Sequence, residues 1–163
     1  MAKKHQPIPA DVVLNNPVHF LAFGFGSGLA KKAPGTCGTL VAIPIFLMLC
    51  TLPLWAYISA VVFISIIGIW LCDVSSKALG VHDHPGIVWD EIAGFLITMI
   101  AAPVSWLSVL LGFALFRLFD IWKPWPISIL DRKVHGGLGI MLDDILAGVF
   151  AALSLQLVLI LIN

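Results

Sequence analysis

Residues 33–72 read APGTCGTLVAIPIFLMLCTLPLWAYISAVVFISIIGIWLC, forty positions without an Asp, Glu, Lys or Arg. A bilayer core about 30 Å thick takes roughly 20 apolar residues per helix, so this block has room for a hairpin of two crossings. The hairpin breaks at TLP, residues 51–53, because Pro53 suits a helix start, where its missing amide hydrogen costs nothing. Helices are expected over 38–52 and 54–72. Three further blocks, 12–30, 92–116 and 145–163, are also free of those four residue types. With 60% hydrophobic and 11% charged residues, the chain exceeds the apolar share of a soluble domain.

The block 92–116 is long enough for one crossing, but Pro103 after Ala101 and Ala102 divides it, and two helices are expected, about 87–102 and 104–123. A last helix opens at Asp143 and runs to the C-terminus. The predicted fold is all-α: a polytopic membrane helical bundle of about five transmembrane helices, preceded by an interfacial or re-entrant helix within 12–30. Residues 1–163 read as a single integral-membrane domain. Five crossings put 31–36, 73–86 and 124–139 on one side with the N-terminus, and all nine Lys and Arg fall in or at the border of that side. The positive-inside rule makes it the cytoplasmic side. The N-terminal stretch shows no A-x-A site after an apolar core, so no cleaved signal peptide is expected. Zero formal net charge and the lack of a long basic run argue against nucleic acid as a partner. Cys37, Cys50 and Cys72 are widely spaced in or beside apolar segments, which fits reduced thiols better than a disulfide or metal framework.

On this layout the ionisable clusters meet at one face. VWDEIAG brings Asp90 and Glu91, FRLFDIWKP brings Arg117, Asp120 and Lys123, and IMLDDIL brings Asp143 and Asp144. Positions 117, 120 and 123 stay within roughly 120° of one helical face. Any one acid pair at a helix start has an ordinary explanation in capping and the macrodipole. Three clusters do not, since a charge within the membrane costs roughly 2.5–3.5 kcal/mol and normally faces a polar cavity. Carboxylates without accompanying His or Cys suit a hard cation, and Mg²⁺ in particular is commonly shared between carboxylates and a substrate phosphate. Arg117 can fork across two phosphate oxygens. KKAPGTCGTL, residues 31–40, adds backbone amides and hydroxyls just before a helix, a suitable anion site without the G-K-[ST] ending of a Walker loop.

Four blocks, GFGSGLAKKAPGTCGTL, HDHPGIVWDEIAG, FRLFDIWKPWPI and GGLGIMLDDILAG, in this order and at these intervals, resemble the signature of the phosphatidylglycerophosphatase A family. The resemblance covers most of the polar half of the chain. It implies a multi-pass, Mg²⁺-dependent lipid phosphatase of the bacterial inner membrane that hydrolyses phosphatidylglycerophosphate to phosphatidylglycerol and inorganic phosphate. That substrate is made on the cytoplasmic leaflet, in agreement with the side inferred from charge.

Missing motifs narrow the mechanism. No cysteine heads a C-x5-R loop, and neither a D-x-D-x-[TV] nucleophile motif nor the K-x6-R-P set with its distant His blocks is present. A protein nucleophile is therefore not expected, leaving direct attack by a water on Mg²⁺. Asp90, Glu91, Asp143 and Asp144 are the expected metal set. Asp120 is a further ligand or water-orienting base, so that all five carboxylates count as catalytic. Arg117 and Lys123 are the expected phosphate clamps, with Lys31, Thr36 and Thr39 as secondary phosphate binders. His82, Asp83 and His84 read as a solvated turn or a pH-sensing loop, His135 as part of a loop over the site, and Trp89, Trp122 and Trp125 as interfacial anchors. The alternative function is an ion-coupled transporter or channel subunit, which also keeps acids among membrane helices. A structural subunit using charge pairs for assembly is a third class. Homo-oligomerisation stays open.

Overall fold

The computed structural model describes residues 8–81 and 84–162. Its described residues form helices and no strand: α1 (Ala10–Leu14), α2 (Pro17–Ala22), a 3₁₀ turn (Ser27–Leu29), α3 (Pro34–Leu49), α4 (Leu54–Leu79), α5 (Trp89–Thr98), α6 (Trp106–Trp122), α7 (Ile127–Lys133) and α8 (Gly136–Ile162). Local chemistry accounts for several of these boundaries. Asn16 caps α2 by accepting the amides of Val18 and His19, with Pro17 at the first helical position. Gly80, at φ 66°, ends α4 in the left-handed conformation that glycine adopts without cost. Ser105 caps α6 through the amide of Ser108.

Among the described residues, only α4, with 26 residues, and α8, with 27, are long and apolar enough to cross a bilayer alone; at 1.5 Å per residue they reach about 40 Å. Their outward faces are apolar: Trp55, Phe63, Ile66 and Trp70 on α4 and Leu153, Leu157 and Ile160 on α8 are exposed. The expected crossing over 87–102 is instead the ten-residue α5, about 15 Å long. It sits at the centre of the bundle with nine of its ten residues buried. Glycine makes this close seat: a Cβ on Gly148 of α8 would meet Gly94 O of α5 at 2.5 Å, and one on Gly94 would meet Asp144 O at 2.8 Å. Small residues let helix backbones approach where no water drives association. Thr98 follows the same line, donating its hydroxyl to Gly94 O at 2.9 Å.

Three further expectations are corrected. The N-terminal stretch, expected as one interfacial or re-entrant helix, is divided into two short helices and a 3₁₀ turn, because Asn16 restarts the chain. The expected loop 124–139 contains α7. Most consequentially, α8 opens at Gly136, so Asp143 and Asp144 lie two turns inside it. Its cap comes from another helix: Asp73 of α4 accepts the Gly137 amide at 3.2 Å while pairing with Lys77 at 2.6 Å. Two interior aspartates cannot be caps.

Candidate active site

The N-termini of α3 and α5, the C-terminus of α6, α7 and the first turns of α8 enclose a cavity of about 640 Å³. Six carboxylates line it, from Asp90, Glu91, Asp120, Asp131, Asp143 and Asp144, against two permanent cations, Arg117 and Lys123. Pro34 and Gly35 bring in the start of α3. Gly35 leaves room there for the Glu91 carboxylate, since a Cβ would displace Glu91 Oε1 and lie 3.2 Å from Arg117 Nη1.

On one side, Asp90, Glu91 and Asp144 each offer an oxygen, all within 4.8 Å of one another. Asp90 and Glu91 are adjacent in the first turn of α5, and the α5–α8 crossing delivers Asp144 to them. Asp144 is 2% exposed, and Asp144 Oδ2 and Glu91 Oε2 are buried without a hydrogen-bond partner. Burying clustered carboxylates is costly unless protons or a cation offset their charge. Three converging carboxylate oxygens fit a hard divalent cation such as Mg²⁺. Arg117 borders the trio: Nη1 is 2.6 Å from Asp120 Oδ2 and 3.9 Å from Glu91 Oε1, and its Nε is buried without an acceptor.

On the other side, Lys123 bridges three elements. It follows the last residue of α6 in a left-handed conformation, φ 44°, and Pro124 disfavours continuation of the helix through it. Its ammonium lies 2.5 Å from Asp143 Oδ2 of α8 and 2.7 Å from Asp131 Oδ1 of α7. Burial disfavours the ammonium, but its hydrogen bonds to Asp131 and Asp143 outweigh that and hold its pKa above the ordinary lysine value.

The family model of phosphatidylglycerophosphatase A matches residues 20–159. The chain belongs to the phosphatidylglycerophosphatase A family. It is 53% identical over 141 residues, 85% of this chain and 81% of the relative, to the phosphatidylglycerophosphatase A of Escherichia coli K12. Over 146 residues, 87% of this chain and 88% of the relative, it is 45% identical to the phosphatidylglycerophosphatase A of Haemophilus influenzae Rd. No solved structure matches it.

The region matched to the phosphatidylglycerophosphatase A family holds the whole cavity lining. Of the residues singled out in the sequence, Asp90, Glu91, Arg117, Asp120, Lys123, Asp143, Asp144 and His135 line the cavity. Asp143 stands apart from the three-oxygen cluster and pairs with Lys123. Lys31 and Thr36 lie outside the lining; Thr39 is fully buried, its hydroxyl spent on Gly35 O at 3.0 Å. His84 is buried with Nδ1 accepting the Gly86 amide at 3.0 Å, not solvated; His82 and Asp83 lie outside the described residues. Trp122 and Trp125 are exposed, as anchors would be, whereas Trp89 is buried and donates to Ile64 O at 3.1 Å. None of the three cysteines is in a disulfide. Two contributors escaped the sequence reading. Asp131 had one available signal, an acid in a basic stretch eight residues after Lys123. Gly35 had none, since its role is the space it leaves.

Proposed function

We propose that this chain hydrolyses the terminal phosphomonoester of phosphatidylglycerophosphate, releasing phosphatidylglycerol and inorganic phosphate, with Mg²⁺ as cofactor. The observation that carries the reading is the three-oxygen cluster of Asp90, Glu91 and Asp144 beside Arg117 in the cavity of a family member. Six carboxylates around two cations would repel a dianionic phosphate, so the cavity needs a cation before it can take this substrate. Asp90, Glu91 and Asp144 would hold Mg²⁺, which when bound supplies positive charge to the phosphoryl oxygens and acidifies a water. Arg117 donates to the phosphate oxygens, held at its angle by Asp120. The amide of Gly35, which lines the cavity, precedes the first intrahelical bond of α3, from Cys37 N to Ala33 O at 3.2 Å, and adds a donor. Asp120 takes the proton of the attacking water as its oxygen bonds to phosphorus and the bond to the glycerol oxygen breaks; that oxygen leaves with a proton from solvent. Lys123, steadied by Asp143 and Asp131, offsets charge elsewhere in the lining.

The same reading places the protein in the bacterial inner membrane with the cavity facing the cytoplasm. Support comes from where the helix ends gather. The starts of α3, α5 and α8 and the end of α6 meet at the cavity, Asp73 near the end of α4 reaches the start of α8, and Lys31, Lys32, Lys77, Arg132 and Lys133 lie near these ends. Phe46, Leu54, Met99 and Val104 meet at the opposite end. The chain then passes through the membrane five times, α5 making its passage inside the bundle with the segment that follows it. Acids gathered at one end, in a chain of this family, leave the transporter alternative without support.

The test is phosphate release from phosphatidylglycerophosphate, phosphatidic acid and a soluble phosphomonoester by the detergent-solubilised chain, with Mg²⁺ and with excess chelator. Mg²⁺-dependent release, fastest from phosphatidylglycerophosphate, is expected. Release from none of the three, or undiminished turnover in chelator, would overturn the proposal.

A further inference from the structure

Beside the acidic cavity lies a second one of about 230 Å³, lined by Phe23, Gly28, Leu29, Lys31, His84 and Gly86 among others. Pro34 and Pro85 line both. Two chain segments, 30–35 and 84–87, therefore run from one cavity to the other, and a ligand in contact with both cavities would lie along them. These segments are firmly set. Gly28 packs so closely on Gly86 that a Cβ there would fall on the Gly86 carbonyl oxygen. Ile87 N donates to His84 O at 2.8 Å, and Val88 N to Ala22 O at 2.9 Å.

The electrostatics of the two cavities are opposite. Six carboxylates line the first; no Asp or Glu is among the described residues that line the second. Its ionisable side chains are Lys31, with an exposed ammonium-bearing chain, and the buried His84. His84 accepts the Gly86 amide on Nδ1 at 3.0 Å, which leaves the ring hydrogen on Nε2. The rest of the wall is backbone, Ile8, Phe23, Leu29 and proline. Such a lining suits a singly charged anion carried on an apolar group, and needs no added cation to receive it.

Phosphatidylglycerophosphate carries both kinds of anion: a terminal phosphomonoester and, one glycerol away, a singly charged phosphodiester that leads to the acyl chains. We propose that the second cavity holds this internal phosphodiester, with Lys31 as the cation that meets it, while the phosphomonoester lies in the acidic cavity. The inference rests on the substrate reading above and assigns Lys31 to a different phosphate from the one being hydrolysed. Lys31 is thus a specificity residue, distinguishing a headgroup with two phosphates from one with a single phosphomonoester.

The products separate the two cavities, since phosphatidylglycerol keeps the diester and inorganic phosphate mimics the monoester. Inhibition of phosphatidylglycerophosphate turnover by short-chain phosphatidylglycerol and, separately, by inorganic phosphate would be measured with the full chain in detergent and Mg²⁺. Lys31→Ala should weaken inhibition by phosphatidylglycerol about tenfold, the scale of one charge-assisted contact discounted for solvent, and leave inhibition by phosphate unchanged. Lys31→Arg should restore the wild-type value. Lys32→Ala is the control for general attraction to an anionic lipid surface, since Lys32 is equally charged, exposed and outside both linings; it should change neither constant. Equal effects of Lys31→Ala and Lys32→Ala, or equal effects of Lys31→Ala on both inhibitors, would overturn the diester assignment while leaving the substrate intact. A wild-type chain that hydrolyses phosphatidic acid but not phosphatidylglycerophosphate would remove the substrate reading and this assignment with it.

Discussion

Asp144 joins Asp90 and Glu91 on one wall of the cavity, where the nearest cation, Arg117, is shared with Asp120. Asp143, its neighbour in the chain, instead contacts Lys123, which also holds Asp131, and these three form a second wall. Successive helical residues point about 100° apart, so two adjacent aspartates can serve two environments. The first wall has an excess of buried negative charge that calls for a cation; the second already contains its own. Identical side chains are thus fitted for different work by what faces them.

The largest effect expected is from removing the cation. Chelation should abolish turnover and added Mg²⁺ should restore it, measured as phosphate release; a chelated enzyme at full rate would mean that the first wall is offset by protons instead. Next is Asp144→Asn, which keeps shape but removes charge from the trio. It should lower turnover about 1,000-fold, equivalent to roughly 4 kcal/mol of transition-state stabilisation, with partial rescue at high Mg²⁺. Asp143→Asn should cost less, about 10- to 100-fold or some 1.4–2.7 kcal/mol, and should not respond to Mg²⁺, because its partner is Lys123. If the two variants show equal losses and equal rescue, the walls do not differ as described. Smallest is Tyr57→Phe, far from both walls, where a hydroxyl donates to Leu96 O at 2.7 Å. A lost buried hydrogen bond costs about 1 kcal/mol, so thermal stability in detergent should fall slightly while turnover stays unchanged. A marked loss of activity there would tie the opposite end of the bundle to the site.

Much of this was legible in the residues alone. Long charge-free blocks announce membrane helices because hydrocarbon cannot solvate charge, and Pro53 and Pro103 mark real breaks. Asp90, Glu91, Arg117, Asp120, Lys123 and the paired aspartates stood out because charges are costly in such a chain and are kept where they have work to do. All line the cavity. What misled was local inference about ends. LDD at the edge of an apolar run looks like a helix start, yet α8 begins seven residues earlier, its glycines packed against neighbouring backbone and its Gly137 amide met by Asp73, sixty-four positions away in sequence. A cap supplied from another helix leaves no mark at the boundary it makes.

The sequence by itself determined the all-helical class, the family and all but Asp131 of the acidic and basic residues lining the cavity, since these follow from composition, spacing and residue type. Tertiary structure alone decided which carboxylates converge. Asp144 reaches Asp90 and Glu91 because Gly94 and Gly148 let α5 and α8 touch, and Asp143 turns to Lys123 because Lys123 leaves the helix at the end of α6. Electrostatic environment depends on distances in space, and those are set by how closely the helices pack rather than by the order of residues along them.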